Sequence, residues 1–433
     1  MKNLVMVLLI GYALSAGAAD AATYYVAKNG SNGNSCAQAQ SLATAKLTVA
    51  AGIGCLGGGG DTLLLRNGDY NEGITSSPSG TSWSNKVRIA AYPGDASVWL
   101  RPQTSTNGGG HVIFLDGNFH YLEFDGVNLD GSLSGTGGLW TSTNNGNDPH
   151  HIRFQNAEVI AGATGAGAAI DLGAHTKIGA TGSNEVRNVV IHGGGLPGLC
   201  GYQCASYGVY IKGPNNLVEN TDIYDTSGAG IQIYNADGDA ADNNILRNNR
   251  IHDITRTGSL DEVWGIINVG SNNQIYNNLI YGIKIGNPAN SGLAGIASSG
   301  NSNKIWNNTI YNKNNTGIVV QGSSTDVRNN IVYLVTGSPY VNNGSGTVQT
   351  NNLFGVDPLF VNGSANNFQL QAGSPAVNAG TNLSTVTTDF AGVSRPQGAA
   401  ADIGAFEYSA QDTSPPTVTL PPAVPSGLRV VAN

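Results

Sequence analysis

A short frame that opens with two asparagines recurs along the middle of the chain. Clear copies are "NNRIHD" (248–253), "NNLIYG" (277–282), "NNTIYN" (307–312) and "NNIVYL" (329–334). Self-similarity at a period of 20–50 residues is typical of repeat proteins, in which each unit packs on the next. The aligned aliphatic residues of these and three looser copies, 22 to 32 residues apart, are Val159, Ile191, Ile223, Ile251, Ile280, Ile310 and Val332.

The spacing inside each copy predicts short strands. Apolar residues recur with period two, and no copy sustains a helical period. Only 11% of residues are charged and 61 are glycine, a composition too apolar for disorder and rich in turn formers. We therefore predict an all-β fold, a parallel β-helix in which like residues of successive coils lie about 4.8 Å apart.

Two ladders are expected along the stacked coils. The first asparagine of each frame should form hydrogen bonds with its counterpart in the next coil. The ring that follows the aliphatic residue should stack on the next ring rather than form a row of catalytic imidazoles. The expected members are Asn248, Asn277, Asn307 and Asn329 for the first ladder, and His192, Tyr224, His252, Tyr281, Tyr311 and Tyr333 for the second.

A second frame begins with glycine, and one copy carries a lysine. In "GVYIKG" (208–213) and its relatives, the first and third residues after the glycine are aliphatic, so the second and fourth should point outward. Lys212 is therefore predicted on the outer face with Tyr210 beside it. Counting from Gly167 places Asp171, like Tyr234, one ladder step from Lys212. We predict that Lys212, Tyr210 and Tyr234 are the catalytic residues.

Long connecting segments predict a groove on the same face. Segments 192–208, 252–265 and 281–295 all lead into the glycine strands and would wall one side of them. Loops carried by a rigid scaffold are where binding residues concentrate. The predicted substrate-binding residues are Gln232, Arg256, Trp264 and Lys284.

The stretch "NADGDAAD" follows Tyr234 and predicts a calcium site. Calcium takes six to eight oxygen ligands, and the predicted ligands are Asp171, Asp237, Asp239 and Asp242. A carboxylate beside a lysine stabilises the ammonium form, so a bound cation would be needed for Lys212 to act as a base. The alternatives are a surface ion pair between Lys212 and Asp171, and a solvated turn at the aspartates.

The N-terminal residues 1–21 read as a secretory signal with a cleavage site after Ala21. Its apolar run is too short to predict a membrane span, so we expect a secreted or cell-surface protein. Four cysteines then predict two disulfides, Cys36–Cys55 and Cys200–Cys204. Zinc is disfavoured because no further His or Cys pair has ligand spacing. A net charge of −8 argues against nucleic acid as a partner.

The remaining boundaries follow from changes in pattern. Residues 22–84 should form an N-terminal cap, with an amphipathic helix over 40–56, and the first coils. The β-helix proper is predicted over 85–350, a C-terminal cap over 351–408, and a Pro/Thr/Ser-rich tail over 409–433. We expect a monomer.

The sequence resembles a group of secreted bacterial proteins over residues 22–408. "TYYVAKNGSNG", "GDTLLLRNGDYNE", the asparagine coils and "DPLF…SPAVNAG…DIGAFEY" resemble right-handed parallel β-helix proteins of the pectate-lyase-like group. That resemblance implies a polysaccharide lyase, in which calcium assists and a lysine four residues after a glycine is the base. Lys212 follows Gly208 by four, but "CGYQCASYG" lacks the aspartates that precede this glycine in those enzymes.

Three other functions remain open. The chain could be a carbohydrate-binding or cell-surface solenoid without activity. "NDPHHI" (147–152) contains the Asp-Pro-His of mannuronan C5-epimerases but lacks their preceding tyrosine. "NTD" (220–222) resembles part of a glycoside hydrolase site, yet the paired carboxylates of such enzymes do not follow.

Overall fold

The computed structural model describes residues 21–95, 97–104, 110–133, 135, 137–141, 149–162, 167–173, 182–194, 206–235, 241–256, 263–285, 294–311 and 316–409. The first strands are β1 Thr23–Val26, β2 Thr62–Leu65, β3 Gly68–Tyr70, β4 Val87–Ala91, β5 Val98–Leu100, β6 His111–Leu115, β7 His120–Asp125, β8 Asn128–Asp130, β9 Gly137–Thr141, β10 His150–Ile160, β11 Gly167–Leu172 and β12 Glu185–His192. The next are β13 Ser206–Ile211, β14 Leu217–Glu219, β15 Asp222–Tyr224, β16 Ala229–Ile233, β17 Ile245–Arg247, β18 Arg250–His252, β19 Thr255–Arg256, β20 Trp264–Asn268, β21 Gln274–Tyr276, β22 Leu279–Tyr281 and β23 Lys284–Ile285. The last are β24 Ala294–Ser298, β25 Lys304–Trp306, β26 Thr309–Tyr311, β27 Thr316–Val320, β28 Asp326–Arg328, β29 Ile331–Tyr333, β30 Tyr340–Asn342, β31 Val348–Thr350, β32 Leu353–Phe354, β33 Phe360–Asn362 and β34 Asn367–Leu370.

The chain folds as a right-handed parallel β-helix, as predicted. Most described strands form a 21-stranded first sheet, and β6, β9, β11, β13, β16, β20, β24, β27 and β30 form a nine-stranded second sheet. The aliphatic ladder has the expected register, with Ile251 paired to Ile223 and Ile280, and Ile310 paired to Ile280 and Val332. These side chains are fully buried in the interior between the sheets.

The glycine frame has a steric cause. The glycines lie on the second sheet where it faces the aliphatic ladder of the first sheet. A Cβ at Gly265 would lie 2.6 Å from Ile280 Cγ2, and one at Gly295 would lie 2.8 Å from Ile310 Cγ2. The interior is close-packed at this position, so the frame keeps a residue without a side chain.

Of the predicted ladder positions, Asn329 donates its side-chain amide to Asn307 Oδ1 at 3.3 Å. The continuous buried ladder, however, forms at the second asparagine of each frame. Asn278 Oδ1 accepts the Asn249 backbone N–H and side-chain amide, both at 3.0 Å, and Asn308 repeats this with Asn278. The first asparagines instead have left-handed φ angles near 50–56° at the turn. Asparagine tolerates that conformation better than most residues, and its side chain then lies outside the column of second asparagines.

The ring ladder is confirmed for its first four members. His192, Tyr224, His252 and Tyr281 lie with successive ring centres 5.1, 5.1 and 4.9 Å apart and planes within 6°, 19° and 5°. Their faces cover one another, which leaves only ring edges for other partners. The column is therefore part of the scaffold.

The N-terminal segment contains the predicted Cys36–Cys55 disulfide but a shorter helix than expected. Only Val49–Ile53 is α-helical, preceded by the 3-10 turns Gln38–Gln40 and Leu42–Thr44. Glycine weakens helical backbone, and this short helix contains Gly52 and has Gly54 as its C-cap. Cys200, Cys204 and the residues before 21 lie outside the described part of the chain. No helix within that part is long and apolar enough to cross a membrane.

The C-terminal segment, residues 357–408, packs along the side of the β-helix, whereas a cap over its end was expected. Phe368 lies between the rings of Tyr281 and Tyr311, at 5.1 and 5.3 Å. Within the described residues the segment leaves the last coil uncovered, and Val348 of that coil is 43% exposed. The segment binds the outer surface because the apolar faces of "DPLF" and "DIGAFEY" match the ring column there.

Candidate functional site

Lys212 lies directly after β13, on the outer face of the second sheet. Its backbone N–H donates to the Leu172 carbonyl at 2.9 Å, so it continues the strand pairing. The side chain lies along the sheet, with Nζ 4.7 Å from the centre of the Tyr210 ring. It is only 10% exposed. Lys212 is thus directed away from the interior but largely covered by its neighbours.

The expected register of Asp171 was wrong by two residues. Asp171 pairs with Tyr210, and not with Lys212, because the glycine position of this coil is occupied by Ala169 rather than by Gly167. Alanine is small enough for the narrow interior there and is fully buried. The two charges still meet, since Lys212 Nζ lies 3.8 Å from Asp171 Oδ2.

Three tyrosines surround this ion pair. The Tyr210 ring lies 5.3 Å from the Tyr207 ring, with planes within 15°, and 5.9 Å from the Tyr234 ring. A cation on an aromatic face is attracted by the ring, so Tyr210 helps to position the Lys212 amine. The cluster gathers an amine, a carboxylate and phenol groups, which can bind an anion and transfer protons.

Two buried polar atoms flank the cluster. Trp140 pairs with Asp171, and Gln232 pairs with Tyr210 on the other side. Trp140 Nε1 and Gln232 Oε1 are buried and have no hydrogen-bond partner in the described part of the chain. Buried polar groups are usually satisfied, so both atoms retain an unused capacity for a hydrogen bond. Trp140 was not among the predicted site residues, although "GLWT" (138–141) is a degenerate copy of the glycine frame.

The predicted loop residues are only partly brought to this face. Trp264 is half-buried and opens β20, in the column that also contains Tyr207. Arg256 and Lys284 lie in β19 and β23, which pair with each other in a separate two-stranded sheet. The side chains of those two residues lie outside the described structure.

The predicted calcium ligands are not assembled within the described residues. Asp242 Oδ1 accepts the Ser271 backbone N–H at 2.6 Å, a contact that joins neighbouring coils. Asp237 and Asp239 lie outside the described residues. In the part of the chain that the structure describes, no group of three or more His, Cys, Asp or Glu side chains could hold a metal ion. Asp171 is the described carboxylate adjacent to Lys212.

A second charged network lies on the first sheet and was not predicted. Asp222 is 3% exposed and accepts from Arg250 Nε at 2.8 Å and pairs with His252 Nε2 at 3.1 Å. Its burial raises the carboxyl pKa, but the bonds from Arg250 and His252 outweigh this and hold the pKa below its ordinary value. The His252 ring is stacked on both faces, so this network reads as structural.

His150, the histidine of the Asp-Pro-His triplet, lies on the first sheet, whereas Lys212 follows a strand of the second sheet. His150 and His151 place their Nδ1 atoms 2.6 Å apart, and the His120 ring lies 5.2 Å from the His150 ring. Burial, followed by the neighbouring histidines, lowers the pKa of His150 to about 4. Asp148 lies outside the described residues. The epimerase interpretation gains no support from this cluster.

The sequence signature described as the right-handed β-helix region matches residues 106–290 and 177–354. Together the two overlapping matches cover more than half of the chain. The chain belongs to the right-handed β-helix family. No curated protein matches the sequence.

Several solved structures are similar to the chain. Pectate lyase Pel9A is 18% identical with a TM-score of 0.60, and the match covers 91% of this chain and 98% of that one. XylC, in its complex with xylose, is 12% identical with a TM-score of 0.44 over 76% and 70%. The GH136 lacto-N-biosidase of Eubacterium ramulus is 13% identical with a TM-score of 0.42 over 77% and 68%. At these identities the likeness concerns the fold.

Proposed function

We propose that this protein cleaves a uronate-containing polysaccharide by β-elimination on the outer face of the second sheet, with Lys212 as the base. The observation that carries the proposal is the position of Lys212. It lies beside Tyr210, 3.8 Å from Asp171, four residues after the glycine that resembles the lyase pattern. The fold shared with pectate lyase Pel9A supports the same reaction class.

The proposed chemistry uses residues of this cluster. The free amine of Lys212 takes the proton on C5 of the uronate, next to its carboxyl group. The electrons of that C–H bond form the C4–C5 double bond, and the C4–O4 bond breaks. Tyr210 or Tyr234 donates the proton that the leaving oxygen needs. A positioned acid or base of this kind typically contributes 10²–10⁴-fold to the rate.

The charge beside Lys212 sets a condition on this proposal. Asp171 stabilises an ammonium ion, whereas the base must be a free amine. Calcium, if bound by Asp171, Asp237, Asp239 and Asp242, would offset that carboxylate and the charge of the uronate. Since the described residues do not form such a site by themselves, calcium enters the proposal as a requirement to be tested with a chelator.

The direct test follows the ultraviolet absorbance of unsaturated uronate products on a panel of uronate polysaccharides. We expect absorbance to rise with the wild-type protein, and Lys212→Ala to lower the rate by about 10²-fold or more. The matched control is Lys304→Ala, because Lys304 also lies over an aromatic ring, 5.1 Å from the centre of Trp306, but on the first sheet. That variant should retain full activity.

A further variant distinguishes a role of Lys212 as a base from a purely electrostatic role. Lys212→Arg keeps the positive charge, but arginine does not give up its proton in proteins. We expect Lys212→Arg to be as inactive as Lys212→Ala. Retained activity in Lys212→Arg would rule out the base, and activity unaffected by chelation would remove calcium from the proposal.

Non-catalytic carbohydrate binding is the second candidate. It is favoured by the ion pair of Lys212 with Asp171, because a lysine held as an ammonium ion can bind a carboxylate but cannot take up a proton. Binding of a polysaccharide without any unsaturated product, by a protein that also tolerates Lys212→Arg, would select this function.

We also propose that the protein is exported and that residues 1–21 are removed. The observation behind this is the apolar N-terminal segment, which ends in small residues before Ala22. The mature protein should then begin at Ala22, and N-terminal sequencing of the secreted form tests this. Retention of Met1 would contradict it.

A further inference from the structure

The described residues on the outer face of the second sheet carry little positive charge. Two outward columns run through Lys212 and its neighbour Tyr210. In the first, the described residues are Gly173, Lys212, Tyr234, Val269, Ser299, Gln321 and Asn343. In the second, they are Phe114, Trp140, Asp171, Tyr210, Gln232, Ile267, Ala297, Val319 and Val341. Among these described side chains Lys212 is the one cation, and Asp171 opposes it.

This distribution of charge constrains the ligand. A homopolymer of uronate brings a carboxylate on every sugar, and successive coils lie about 4.8 Å apart. Along the two described columns, a carboxylate away from Lys212 would lie over aromatic, aliphatic or amide groups, or beside Asp171. Removing such an unpaired carboxylate from water is costly, and placing it beside Asp171 brings two negative charges together, which disfavours binding.

The groups around Lys212 suit neutral sugars. Phe114 and Trp140 form an edge-to-face pair with ring centres 4.6 Å apart on one side. Trp140 Nε1 offers a buried donor, and Gln232 Oε1 offers a buried acceptor on the other side. Sugar hydroxyls can both accept and donate hydrogen bonds, and sites with aromatic walls and a few placed polar atoms are typical of small neutral ligands.

We infer that the face binds a heteropolysaccharide in which single uronates are flanked by neutral sugars, with one uronate at Lys212 and neutral sugars at Trp140 and Gln232. The inference rests on the proposed function for the position of the sugar chain. It narrows that function, because homopolymers such as polygalacturonate become poor ligands.

Binding is measured by affinity electrophoresis on gellan, whose backbone places each glucuronate among neutral sugars, on polygalacturonate and on dextran. We expect gellan to bind at least about tenfold more tightly than the other two, which corresponds to about 1.4 kcal/mol. Equal or tighter binding of polygalacturonate overturns the inference. So does equal binding of dextran, or no binding at all.

Matched variants locate the neutral-sugar contacts. Trp140→Phe and Gln232→Leu remove the two buried polar atoms, and each should weaken gellan binding about fivefold, as expected for one net hydrogen bond. Trp306→Phe and Gln274→Leu are the matched controls on the first sheet. They remove the equivalent atoms, which are also buried without a described partner, and they should leave gellan binding unchanged. If the variants on the first sheet weakened gellan binding as much as those on the second sheet, the assignment of neutral-sugar contacts to Trp140 and Gln232 would be overturned.

The two proposals can fail separately. Unsaturated products from polygalacturonate, together with weak binding of gellan, would keep the lyase and discard this inference. Selective binding of gellan without unsaturated products from any polymer would keep this inference and discard the elimination chemistry.

Discussion

The glycine of each coil is the residue on which the narrow interior depends. Gly295 is an example, because its missing side chain leaves space for Ile310 of the opposite sheet. An added Cβ would lie 2.8 Å from Ile310 Cγ2 and 3.0 Å from its Cδ1. The sequence pattern located these positions, but their cause, contact across the interior, became visible only in the folded chain.

Gly295→Ala should therefore destabilise the protein. Overpacking a filled core costs about 1–3 kcal/mol, and denaturant unfolding measures it. Gly373→Ala is the control, because an added Cβ there meets nothing within 4 Å and the change should be neutral or slightly stabilising. In the double variant Gly295→Ala/Ile310→Ala, the loss should be smaller than the sum of the single losses. Simple additivity would contradict a steric cause.

Lys212 shows how far single residues could be interpreted from sequence. The glycine frame placed it on the outer face next to Tyr210, and both points agree with the structure. Its register against Asp171 was wrong, because alanine replaces glycine in one coil and both fit the same small space. The predicted ion pair is nevertheless present in the structure, because a lysine side chain is long enough to reach a carboxylate on the adjacent column.

At the scale of elements, the turns and the ladders they carry fix the register of the coils. The first asparagine of each frame adopts a left-handed φ, and the second forms the buried ladder. Asn278 is typical. It accepts two bonds from Asn249 and donates to the Leu246 carbonyl at 3.0 Å and to Asn308 Oδ1 at 2.9 Å. Neighbouring coils are thereby joined in one register.

Asn278→Ala should weaken this joint strongly. Asn249 would lose the acceptor of its backbone N–H and its side-chain amide, and a buried polar group left unsatisfied costs about 1–3 kcal/mol. We expect a loss of at least that size in the free energy of unfolding, with faster hydrogen exchange at Asn249. Asn343→Ala, at an exposed position, should change stability by less than about 0.5 kcal/mol. A neutral Asn278→Ala would show that the ladder does not hold the coils.

At the scale of the whole molecule, the C-terminal segment folds back on the solenoid. The first asparagines of the frames hold it: Asn277 donates to the Thr388 carbonyl at 2.7 Å and Asn329 to the Thr381 carbonyl at 2.8 Å. Arg395 belongs to this segment, with Nη1 2.6 Å from Glu407 Oε1 and both side chains nearly fully buried. Its Nη2 also donates to Asn277 Oδ1 of the solenoid at 3.5 Å. Residues that were expected to form a ladder thus serve a contact between distant parts of the chain.

Arg395→Met should release this segment. Removing one partner of a buried ion pair leaves a buried charge and costs about 3–5 kcal/mol. Hydrogen exchange should therefore rise over residues 389–407 while β13 and β16 stay protected. Arg328→Met is the control, because its pair with Asp326 is partly exposed and worth about 0–1 kcal/mol. Protection unchanged in Arg395→Met would contradict the anchoring role.

The sequence by itself determined the repeat, the two strand frames, the stacked ring column and the outward position of Lys212. These follow from local alternation, because a period-two pattern assigns each side chain to one face and stacking repeats that assignment in every coil. Only the tertiary structure decided which asparagine forms the ladder, where Asp171 lies relative to Lys212, and where the C-terminal segment packs. Those outcomes depend on contacts between coils or between distant segments. The two asparagines of a frame differ in their turn conformation, and alanine differs from glycine by one methyl group. A linear pattern does not distinguish either pair.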